Sequence, residues 1–138
     1  MSPLTASLYD RLGGLAAIEA VVDAFVGRVA GDVRINPKFA RTDIPRLRRM
    51  LVDQVCAATG GPCTYAGRDM RTTHAGLAIT AGEFDALVED LVATLDSVGV
   101  GQAERDELLG ALAPMRTDIV EIESAETGTP LPVEHAPG

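Results

Sequence analysis

The chain has 138 residues, 46% of them apolar, which is enough for one enclosed core and too apolar for a disordered chain. Its net charge of -8 excludes nucleic acid and an anionic membrane surface as principal partners, because polyanions are held by basic patches. No apolar run approaches the roughly 20 residues of a bilayer span.

The start, Met1 to Ser7, carries neither a basic cluster nor an apolar h-region, so the expected location is the cytoplasm. A short N-terminal helix comes first, and Gly13-Gly14 marks the turn before the next. Ile18, Val21, Val22, Phe25, Val26 and Val29 then form one apolar helical face, with a stop at Gly31-Asp32. Leu47, Met50, Leu51, Val55 and Ala58 form a second face. Asp43 is placed to cap that helix and Pro45 suits its first turn, while Gly60-Gly61-Pro62 ends it. Cys56 and Cys63 are too few for a disulfide framework and match no zinc spacing, so they read as two ordinary thiols.

Residues 63–78 show weaker periodicity. Thr80-Ala-Gly-Glu83 reads as a capping box that opens the cleanest helix, with Phe84, Leu87, Val88, Leu91, Val92 and Leu95 on one face and Gly99 and Gly101 closing it. A last helix is expected from about Gln102 to Ile122, bent at Pro114. Nothing alternates with period two, so the fold class is all-α: four main helices and a short N-terminal one. Residues 1–124 form the domain, and 125–138 form a Pro/Gly-rich tail read as flexible or as a loose extended strap.

Nucleophilic catalysis finds little support, since no G-x-S-x-G occurs and neither cysteine is near a histidine in sequence. No Lys-Ser or Lys-Thr follows the glycine pairs, which excludes a phosphate loop. Asp23, Asp53, Asp85, Glu89 and Asp90 read as a solvated face. His135 falls in the tail. His74 has no second histidine nearby, which argues against a zinc or di-iron site. It lies four residues after Met70, between the second and third main helices. One imidazole facing an apolar helical cavity is what a five-coordinate haem iron requires of its protein.

From Leu8 to about Ile122 the sequence resembles a truncated haemoglobin of the group I branch. The resemblance rests on Gly13-Gly14, the Val21-Val22-Asp23-x-Phe25 run, Gly60-Gly61-Pro62 and Tyr65-x-Gly67. It continues through Met70, His74, Gly76-x-x-Ile79-Thr80, Phe84 and Val98-Gly99-Val100. It implies a two-over-two helical sandwich around one haem b, with His74 as the proximal iron ligand. The His74 Nδ1–H would donate to a backbone carbonyl one turn earlier, that of Met70. Phe39, Met70, Ile79 and Phe84 match haem contacts. Thr42 and Arg46 match the region that holds the propionates, with Tyr65 in the same neighbourhood.

The distal side departs from the branch. The position after Phe25 is normally a tyrosine, and here it is Val26. The glutamine of the distal network aligns with Leu51, and Leu47 stands one turn earlier. Gln54, three residues past Leu51, either leans toward the haem edge or points to solvent. The expected result is reversible binding of a diatomic gas (O2, CO or NO) or a small apolar ligand, with tight O2 binding disfavoured. A reductase is an expected partner, and the expected state is a monomer or weak dimer. Two alternatives stay open: a haem-dependent enzyme acting on a small organic substrate or peroxide in the enlarged pocket, and a globin fold that has lost haem.

Overall fold

The computed structural model describes residues 6–63 and 77–130. Among these the regular structure is helical: α1 (Leu8–Leu12), α2 (Gly14–Ala30), a 3-10 turn (Asn36–Phe39), α3 (Ile44–Ala58), α4 (Ala81–Ser97), α5 (Gln102–Leu112) and α6 (Arg116–Ile119). The all-α expectation of four main helices behind a short one holds. Its local punctuation holds too. Asp43 caps α3 by accepting the Arg46 amide, with Pro45 in the first turn. Gly31 ends α2, and Thr80 and Glu83 close a reciprocal capping box on α4.

The expected single helix from Gln102 to Ile122 is corrected. α5 stops at Leu112, a 3-10 turn occupies Ala113–Met115, and α6 ends at Ile119. Pro114 has no N–H to donate and its ring crowds the preceding turn, so α-helical hydrogen bonding gives way to a 3-10 turn there while the flanking backbone stays right-handed helical. Ile122 lies outside any helix, with its amide on the Ile79 carbonyl at 3.2 Å.

α2 packs against both α3 and α4, and α1 bridges α2 and α5. Two apolar clusters result. One joins Ile18, Val22, Val26 and Cys56 to Leu51, Val52 and Val55. The other joins Leu8, Leu95 and Leu108 to Leu12, Val21 and Leu91. Between α1, α2, α4 and α5 runs an apolar recess of about 140 Å³ lined by Leu12, Val21, Val55, Leu95 and Leu108 among others.

Residues 121–130 run as an extended strap across the N-terminus of α4. The first amides of a helix have no partner within it, and here the strap supplies carbonyls. Ala81 N–H donates to Ile122 O and Gly82 N–H to Ser124 O, each at 2.9 Å. The strap lies so close that a Cβ at Gly82 would collide with the Ala125 carbonyl. Only glycine fits there. Residues 131–138 of the Pro/Gly-rich tail, His135 included, lie outside the described residues.

The reading of Cys56 and Cys63 as independent thiols is overturned, because they form a disulfide. The turn after α3, with Gly60 at φ +86°, reverses the chain and brings the two Cα atoms to 5.7 Å, within bridging range.

Candidate functional site

The distal residues named from the sequence fall on facing helices. Val26 sits on the buried face of α2, 4% exposed, and Leu51 packs into the same apolar cluster from α3. Leu47 is half-buried one turn before Leu51, its amide on the Asp43 carbonyl at 2.9 Å. The side-chain amide of Gln54 donates to the Met115 thioether at 3.1 Å, so it is engaged with the turn after α5.

Phe39 ends the 3-10 turn, and the Thr42 amide donates to its carbonyl at 3.1 Å. Ile79 is fully buried, and its carbonyl receives the Glu121 amide at 2.9 Å from the strap. Phe84 is half-buried in the first turn of α4. Arg46 is exposed near the start of α3, and its guanidinium makes no ion pair among the described residues. Tyr65, Met70 and His74 lie outside the described residues.

Phe39, Leu47, Leu51 and Phe84 are large apolar side chains that other protein atoms cover only in part. With Val26 and Ile79 and the exposed Arg46 cation, they are of the chemical kinds that an apolar group with an anionic edge needs.

Two buried polar clusters brace these elements, and sequence reasoning missed both. Lys38, beside Phe39, is 2% exposed, and Glu83, beside Phe84, is fully buried. The Lys38 Nζ donates to Thr129 Oγ1 at 2.8 Å and to the Pro130 carbonyl at 3.0 Å, and lies 3.6 Å from Glu83 Oε1. Thr129 donates its amide and its hydroxyl to Glu83 Oε2, each at 2.7 Å. Every charge in this group is paired, as burial demands. Nothing in the sequence around Lys38 carries such a signal; only the folded chain brings it to Glu83, Thr129 and Pro130.

The second cluster joins the end of α2 to α4. Periodicity places Asp90 on a solvated face with Asp23, Asp53, Asp85 and Glu89, and for Asp90 this is corrected. The other four are exposed, but Asp90 is only 7% exposed, covered by the Asp32–Ile35 loop. Arg34 forks onto both oxygens of Asp32, through Nε at 3.1 Å and Nη2 at 2.9 Å, and reaches Glu89 at 3.0 Å. Arg34 therefore holds the Asp32 carboxyl down at about 2. Asp90 is pushed up to about 6, first by burial and then by its hydrogen bond to and the charge of Asp32. Its Oδ2 has no hydrogen-bond partner.

Residues 7–121 match the family of bacterial-like globins. The chain belongs to that family. The globin is 37% identical over 121 residues to the group 1 truncated haemoglobin of Mycolicibacterium paratuberculosis, an alignment that covers 88% of this chain and 89% of that protein. The crystal structure of the truncated haemoglobin from Tetrahymena pyriformis in its Fe(III) form matches with a TM-score of 0.80 at 32% identity, over 83% of this chain and 98% of that one. The 2/2 haemoglobin from Synechococcus sp. PCC 7002, solved in the cyanomet state with covalently attached haem, also matches with a TM-score of 0.80, at 36% identity over 83% and 98%. The fold is thus that of a truncated two-over-two globin, and the globin is of a haem-binding family, as the resemblance implied. Among the described residues no helix is long and apolar enough to cross a membrane.

Proposed function

We propose that this globin holds haem b through His74 and reversibly binds a diatomic gas in a distal pocket that lacks a side-chain donor. The haem iron supplies the coordination position for the gas. The chain around it adjusts the relative affinities of the gases through the hydrogen bonds it offers or withholds.

The observation that carries the reading is the apolar packing of Val26 with Leu51. The Tetrahymena pyriformis protein has been solved as variants at one tyrosine and two glutamines, the tyrosine 21 residues before the first glutamine and the glutamines four apart. Val26, Leu47 and Leu51 have that same spacing here. Dioxygen in such a pocket takes on negative charge, and a hydrogen bond to it is charge-assisted, worth about 1.5–3 kcal/mol. Losing that bond lowers O2 affinity by roughly 10- to 150-fold. Carbon monoxide and nitric oxide are less polarised and lose less. The engagement of Gln54 with Met115 supports the absence of a substitute donor.

Absorption spectra of the ferric, ferrous and CO-bound protein, compared with His74→Ala, test the haem assignment. Loss of the wild-type spectrum in the variant is expected, and native ligation surviving the substitution would overturn it. A nanomolar O2 dissociation constant would refute the apolar distal pocket.

A further inference from the structure

Cys56 is fully buried in the apolar cluster that contains Val26 and Leu51, and its sulfur is bonded to Cys63, eleven residues before His74 in the chain. We infer that the Cys56–Cys63 disulfide is a redox latch on the distal pocket, which holds the end of α3 against Val26 when formed and changes ligand binding when reduced. This inference rests on the gas-binding reading of the pocket given above.

The junction is built so that a change at the sulfurs reaches the pocket. Cys56 is one turn beyond Val52 on the helix that carries Leu47 and Leu51. The Gly61 amide returns to the Cys56 carbonyl at 2.8 Å, and the Tyr9 amide donates to the Thr59 carbonyl at 2.8 Å, so α1, α3 and the departing segment meet at one point. A Cβ at Gly61 would sit 2.8 Å from Cys56 Sγ, so there is no slack on that side. Two thiols cannot remain at bonding distance. On reduction either Cys63 moves outward or the Cys56 side chain presses on Ile18, Val22 and Val26, and a close-packed interior transmits such a shift.

The two sulfurs also differ in access. Cys56 has no exposed surface, whereas Cys63 is half-buried beyond the helix end. A dithiol reductant therefore attacks Cys63 Sγ through its thiolate. The Cys56–Cys63 bond breaks, and Cys56 leaves as a thiolate and takes up a proton. The second thiol of the reductant then attacks the mixed disulfide and releases Cys63 as a thiol. Two electrons and two protons pass to the protein, and the reductant ends as its own disulfide.

The test uses the full haem-loaded chain with its cysteines either oxidised or reduced by tris(carboxyethyl)phosphine, their state checked by alkylation and mass spectrometry. With the haem reduced photochemically under CO, the rebinding rate after flash photolysis is expected to differ between the two states by about fivefold or more, the low end of ordinary coupling between sites. Cys63→Ser is expected to show the reduced-state rate whether or not reductant is added. Amide hydrogen exchange at Val26 and Leu51 should rise on reduction in the same samples. Equal CO rates in the two states overturn the latch, and so does a protein that forms no disulfide in air. A change in exchange without a change in CO rate also overturns it, leaving the bond a structural staple. A chain that takes up no haem refutes the proposed function instead, and its exchange contrast still decides whether the sulfurs control the Val26 cluster.

Discussion

Replacing Asp90 with asparagine should stabilise this protein at neutral pH and leave it unchanged near pH 4. The Asp90 carboxyl is held at about 6 against its ordinary 3.8, chiefly by burial and next by the neighbouring Asp32. Arg34 and, more weakly, Arg28 oppose that shift. Between about pH 4 and pH 6 the native protein keeps a proton on Asp90 that the unfolded chain releases. Native stability from this group is therefore greatest at the acid end and falls as pH rises through 6. At 1.36 kcal/mol per pH unit the ceiling is about 3 kcal/mol, and sharing with Asp32 brings the expected loss to about 1–3 kcal/mol. The asparagine side chain would present the same shape with no charge to desolvate, and its amide could still donate to Asp32. Urea unfolding of wild type and Asp90→Asn across pH 4 to 8 reads this directly. The variant's midpoint should exceed wild type by roughly 0.5–1.5 M at pH 7.5, for a slope of about 2 kcal/mol/M, and the two should converge at pH 4. Parallel curves across that range would refute the reasoning, because the carboxyl would then be no more costly folded than unfolded.

Three further outcomes follow from the packing. Lys38→Met leaves the Glu83 carboxylate buried without its cation and should cost about 3–5 kcal/mol by chemical unfolding, with part recovered in the Lys38→Met, Glu83→Gln double variant. Reduction of Cys56–Cys63 releases the eight-residue loop from Cys56 to Cys63 and should cost about 2.5 kcal/mol, seen by calorimetry as a fall in Tm of roughly 5–15 °C. Val26→Tyr supplies a hydroxyl to the pocket and should raise O2 affinity by roughly 10- to 100-fold in equilibrium titration while leaving CO affinity far less changed.

What the sequence makes legible is whatever is decided within a few residues. The Thr80–Glu83 capping box, the Asp43 cap with Pro45 and the stop at Gly31 each depend on one turn of chain, and all three stand. Val26 and Leu51 are legible because helical register sets which face a residue occupies, and both do face one cluster. The cost of Pro114 is legible because it is local; the end of the helix at Ile119 is not, because it is set by the strap that draws Glu121 and Ile122 onto Ile79. Asp90 lies opposite an apolar stripe, so periodicity assigns it to solvent, and only the return of the Asp32–Ile35 loop buries it. The disulfide depends on a left-handed turn at Gly60 that no spacing rule specifies.

Lys38 finds its hydroxyl and carbonyl partners 91 and 92 residues further along the chain. At an elongation rate of about 5–20 residues per second, a ribosome has finished Lys38 on the order of ten seconds before Thr129 exists. Throughout that interval the Lys38 ammonium lacks its hydroxyl and carbonyl acceptors and the Glu83 Oε2 lacks its Thr129 donors, so until then their pairing with each other is incomplete and both favour water over the interior. The corner beside Phe39 and Phe84 therefore closes last, after the strap has left the ribosome. A nascent globin should mature from α1, α2 and α3 outward, and its capacity to retain haem should appear only when residues 121–130 are in place.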